Sequence, residues 1–121
     1  MRQTSAITGL GAVLALAACA SVPPPTETIA AANLALGKAE QADAQRDARL
    51  ELYQAREKLE QAERAIQREE NLEARRLAET ALVDAQLAEA RADAARAQRN
   101  VAEIRRNIEA LQSETERALD R

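Results

Sequence analysis

A chain of 121 residues with one tyrosine, no Trp, no Phe and no His has little with which to build a deep apolar core or a histidine-based catalytic or zinc site. Its formal charge of -3 comes from 17 basic and 20 acidic side chains of interleaved sign, which leaves no clustered basic surface for nucleic acid. Ala, Glu, Arg, Leu and Gln dominate, the composition of long helices and coiled coils.

Met1 and Arg2 give a short positive start, and Ala6 to Ala18 is apolar and built mostly of small residues. That run of about 13 residues has the length of a signal-peptide apolar region and is too short to span a bilayer as a helix. It closes with Leu16-Ala17-Ala18-Cys19. This tetrapeptide resembles the bacterial lipobox, a leucine and two small residues before an invariant cysteine. The resemblance implies a diacylglyceryl group on the Cys19 thiol, cleavage after Ala18, and acylation of the new amino group. Each buried methylene contributes about 0.8 kcal/mol, and two or more chains anchor stably where one does not. Residues 1–18 are therefore expected to be a lipoprotein signal peptide. Ala20, not Asp, follows Cys19. For lipoproteins of this kind that implies the outer membrane, facing the periplasm.

Ser21, Val22 and Pro23-Pro24-Pro25 favour an extended segment, so residues 19–26 read as a lipidated cysteine with a Pro-rich tether. Thr26 or Thr28 could cap the helix that follows, with Glu27 at its positive end. From Lys38 onward there is no glycine or proline, and helix breaks have to be read from apolar spacing. Ile29, Ala32, Leu36 and Ala39 predict a first short helix, interrupted by the polar run 43–47 (DAQRD). Leu52, Ala55, Leu59, Ala62 and Ile66 predict a second, with large and small residues alternating. This seam would next land on Glu69 and Glu73, so the run 68–71 (REEN) reads as a turn with Asn71 as the next cap.

Ala74, Ala78, Ala81, Ala85, Ala88, Ala92 and Ala95 form a third seam, and Ala97, Val101, Ile104, Ile108, Leu111 and Thr115 a fourth, shifted by two residues. If the chain reverses near residue 70, Leu52, Leu59 and Ile66 face Ala88, Ala81 and Ala74. Large side chains then meet small ones, and the axes can approach toward the short end of the usual range of about 8–10 Å. The alternative is one uninterrupted helix from about residue 47 in a parallel oligomer; seam glutamates oppose it, and the lack of Gly or Pro near residue 70 favours it. In the hairpin, Asp84 would lie beside Arg56, either as a partly exposed acid or as a register-fixing ion pair. The expected fold class is all-α, an alanine-rich antiparallel hairpin or three-helix bundle with a long coiled-coil-like C-terminal helix.

The residues Ala55, Lys58, Leu59, Ala62 and Ala65, followed by Ala74, Leu77, Ala78, Ala81, Asp84, Ala85 and Ala88, resemble a family of bacterial envelope lipoproteins of unknown function. The helical domain of that family often precedes an OmpA-like peptidoglycan-binding domain. The likeness spans roughly residues 27–97, leaving 98–121 as a C-terminal helical extension, and it brings no catalytic residues with it. Nothing after residue 97 is similar to an OmpA-like domain.

No catalytic, metal-binding or cofactor-binding residues emerge from the chain. Its carboxylates sit on amphipathic faces, where pairs such as Glu60–Arg64 add only about 0.2–0.5 kcal/mol each, and a paired-carboxylate enzyme needs a cleft to raise one pKa. No small-molecule substrate and no nucleic acid is expected. The expected partners are the membrane, through Cys19, and either a second copy or another helix. Val101, Ile104, Ile108 and Leu111 share one helical face with no partner in the hairpin, and an exposed apolar face of this kind marks an interaction stripe. The function expected is a non-enzymatic, lipid-anchored scaffold or adaptor; the alternative is a module that binds peptidoglycan or a periplasmic ligand.

Overall fold

The structure, a computed structural model, describes residues 22–120; the signal-peptide region, the lipobox and Cys19 lie outside them. The described residues form four helices: α1 (Thr26–Gln41), α2 (Ala44–Asp47), α3 (Arg49–Gln67) and α4 (Asn71–Leu119). The all-α expectation holds, and the chain reverses where the leucine–alanine seam runs out, so the uninterrupted helix from residue 47 is not formed.

Both reversals are made by backbone geometry. The first uses Asp43 in the left-handed region at φ 65°, after which α2 and Ala48 carry the chain into α3. The second uses Glu69 at φ 61°. The Glu69 amide bonds to the Ile66 carbonyl at 2.9 Å and the Glu70 amide to the Ala65 carbonyl at 2.9 Å. These two bonds satisfy carbonyls that the last turn of α3 would otherwise orphan. Glycine is the usual residue at such a position, and a glutamate there is strained.

Neither expected side-chain cap is used. Pro25 and Glu70 occupy the cap positions of α1 and α4, and neither makes a side-chain cap bond. Thr26 is already helical, and its amide bonds to the Pro24 carbonyl at 2.9 Å. Asn71 instead donates from Nδ2 to the Val22 carbonyl at 2.7 Å. The proline segment therefore does not stand clear of the fold. Pro25 is buried, and Val22, Pro23 and Pro24 share an open groove of about 770 Å³ with Ile66, Leu72 and Arg76 at the α3–α4 turn.

α1, α3 and α4 pack in layers that run up, down and up. Ala32, Leu59 and Ala81 form one layer, Ala35, Ala55 and Ala85 the next, and Ala39, Leu52 and Ala88 belong to the third. α3 is thus antiparallel to α4, with Leu52 against Ala88 and Leu59 against Ala81 as the seams require, and α1 runs parallel to α4. Ile29, Leu36 and Leu82 are only partly buried and close the outside of these layers. All the buried apolar residues are alanine except Leu52 and Leu59. A core of methyl groups gains little per residue, so close helix approach and many small dispersion contacts hold it together.

Candidate functional site

α4 has 49 residues and spans about 74 Å at 1.5 Å per residue. Only its first half has neighbours. Ala74, Ala78, Ala81, Ala85, Ala88 and Ala92 are buried, Ala95 is half-buried, and from residue 100 to Asp120 every residue but Ser113 is exposed. α4 runs through the boundary expected between residues 97 and 98 without a break, so the bundle and the extension are one rigid element.

Four ion pairs between elements fix the bundle. The Lys58 ammonium donates to Asp84 Oδ2, and Arg91 donates to Glu51, the one buried charged residue among those described. Arg56 donates to Glu40 of α1 at 2.6 Å. Arg99 holds Asp47 with two parallel bonds of 2.8 Å each. The expected Arg56–Asp84 pair is therefore corrected: the register matches the expectation, but a lysine stem reaches about one residue along the axis, so Lys58 takes Asp84 and Arg56 turns to α1. Hydrogen bonding from Arg99 holds the Asp47 carboxyl below the usual carboxylate range, and hydrogen bonding from Arg68 does the same for Glu70.

Val101, Ile104, Ile108 and Leu111 stand on one face of the projecting helix, 49%, 57%, 49% and 64% exposed. Sequence reading begins this stripe at Ala97, and the structure carries it much further back. Ala97, Ala94 and Ala90 are exposed, as are Leu87 at 41% and Val83 at 60%, and they continue the alternating spacing of four and three. α4 therefore bears two seams two residues apart. One is buried against α1 and α3; the other lies on the opposite side and faces solvent from Val83 to Leu111 (about 42 Å at the helical rise). Extending the C-terminal spacing backward would have found Val83 and Leu87, but three intervening alanines serve either seam equally well.

The edges of the exposed seam are largely uncharged, with Gln86, Gln98, Asn100, Asn107 and Gln112 among them. Asp84 and Arg91 also lie at its edge and are neutralised within the chain by Lys58 and Glu51. No helix among the described residues is long and apolar enough to cross a membrane. The surface can pack against another helix, and nothing in it encloses a small molecule.

Residues 27–104 match the family described as Domain of unknown function (DUF4398), and the chain belongs to that family. The match runs past the span expected from the sequence and takes in Val101 and Ile104. No curated protein matches the chain. No solved structure matches it either.

Proposed function

We propose that this member of the DUF4398 family is a lipid-anchored, non-catalytic envelope protein that works as a scaffold or adaptor in the periplasm. The reading is carried by one observation: a helix held rigidly at its base presents an unpartnered apolar seam well beyond its own bundle. A monomer gains nothing from keeping Val101, Ile104, Ile108 and Leu111 in water on one face, and a docking surface requires it. Isolated helices of this length depend on packing for stability, which gives the seam a reason to find a partner.

Leu16-Ala17-Ala18-Cys19 supports the anchor. Acyl chains on Cys19 would hold the protein at the outer membrane, with the bundle and α4 in the periplasm. Resemblance to envelope lipoproteins whose helical domain precedes an OmpA-like domain supports the same compartment. The chain has no histidine, and its apolar seams form a surface with no cleft beside them, which supports a role without catalysis.

The test is crosslinking in cells from a photoreactive residue at Ile104, with one at Glu103 as the off-face control. Discrete crosslinked species from Ile104 and none from Glu103 are the expected result. Equal, diffuse crosslinking from both would remove the adaptor reading. Retention of the chain on purified cell-wall sacculi, without crosslinks at Ile104, would favour a peptidoglycan-binding module instead.

A further inference from the structure

We infer that the occupant of the exposed seam is a second copy of this chain, docked antiparallel about a two-fold axis that passes α4 near Arg99. This rests on the reading of the seam as a docking surface and adds its occupant and direction. The argument comes from the sizes of the side chains along it.

The seam is small in its middle and large toward the C-terminus. Turning it about Arg99 sets Val101 of one copy against Ala97 of the other, and Ile104 against Ala94. Ile108 then meets Ala90, and Leu111 meets Leu87 at the outer end. Each of the six inner layers takes one large and one small side chain. The chain already uses this packing internally, where Leu52 lies with Ala88 and Leu59 with Ala81 across an antiparallel pair of helices. A parallel, in-register pair would stack Ala90, Ala94 and Ala97 each on itself and Ile104 and Ile108 each on itself. One interhelical distance cannot suit both halves, and the alanine layers would lose their contacts.

A two-fold contact is self-complementary, so residues beside the axis meet their own copies. Gln98 and Asn100 are neutral there, and Arg99 lies on the far side of the helix, held by Asp47. The exposed side chains from Val83 to Leu111 offer roughly 650 Å² per copy, about 1,300 Å² in all, within the range of about 1,200–2,000 Å² typical of specific complexes. The seam can thus supply a stable interface on its own.

Pulsed dipolar spectroscopy on the full chain tests this, with Cys19→Ser so that one introduced thiol carries the spin label. A label at Glu116→Cys lies 17 residues from the axis, so its two copies should be about 51 Å apart along the rod. A label at Ala102→Cys should give a separation within about 20 Å. Short separations at both positions would make the pair parallel and overturn the inference, and a signal without dipolar coupling at high concentration would overturn it as a monomer. Ala94→Leu supplies a second arm. It should weaken an antiparallel pair tenfold or more by crowding Ile104, whereas it would tighten a parallel pair by filling an alanine layer. Ala94 is exposed in the single chain, so the melting of dilute protein reports separately that the fold is intact. If no pairing is found while Ile104 still crosslinks another protein in cells, self-pairing fails and the adaptor reading stands. If Ile104 also gives no crosslink, both fail.

Discussion

Arg99 of α4 grips Asp47 of α2 with both terminal nitrogens, each 2.8 Å from a carboxylate oxygen. Beyond this clamp, every side-chain hydrogen bond of α4 among the described residues is made within α4 itself. Arg99 therefore marks where the bundle ends and the free helix begins.

The clamp gives a pH signature. Because Arg99 lowers the Asp47 pKa in the folded chain, its contribution to stability is fully present above the ordinary aspartate value of about 3.9. It is lost as pH falls from there through the lowered folded value. Arg99→Gln should melt below wild type at pH 7, and the gap should close in strong acid. Thermal melts from pH 7 to pH 2 check this, and a gap that persists unchanged at pH 2 would contradict it.

Glu69 pays the steric cost of a left-handed residue at the α3–α4 turn. Glu69→Gly should raise stability by about 1 kcal/mol, and Glu69→Val should lower it by more, because a β-branched side chain fits φ > 0 poorly. Denaturant midpoints of the two variants decide the matter. Equal midpoints would mean the turn is not left-handed.

Ala35, Ala55 and Ala85 meet in a layer with no larger side chain at its centre. Ala85→Leu should overfill it and cost about 1–3 kcal/mol. Ala102→Leu, on an exposed turn of the same helix, should cost almost nothing. Melting temperatures of the two variants compare the sites directly.

Cys19→Ser should leave uncleaved precursor and abolish incorporation of labelled fatty acid, as the lipobox implies. Normal labelling of that variant would remove the anchor from the proposal.

The fold was legible where large and small residues alternate. Leu52, Leu59 and Ile66 specify a seam that only small residues can meet at close range, and the chain offers a matching run of alanines at the right distance from a polar break. That fixed the hairpin and its register. The ion pairs were not legible at the same level, because a lysine or arginine stem reaches past its own layer, and Asp84 therefore found Lys58. The helix caps were misread for a related reason. Residue type favours Thr26 and Asn71 as caps, but the backbone turn at Glu69 sets where α4 starts and leaves the Asn71 side chain free to hold Val22. The rear half of the exposed seam was hidden by alanine itself, which does not declare whether it faces a neighbour or water.

The bond from Asn71 to the Val22 carbonyl has a consequence for reach. It delivers the chain from Cys19 to the foot of α4, so the tip at Leu119 is the pole farthest from the entry point, about 72 Å away along the helix. α4 thus acts as a spar whose length sets how far from the entry point its seam can work. Removing seven residues after Arg99 would preserve the face of the seam and shorten that distance by about 10 Å, so gap width and function could be varied independently of sequence chemistry.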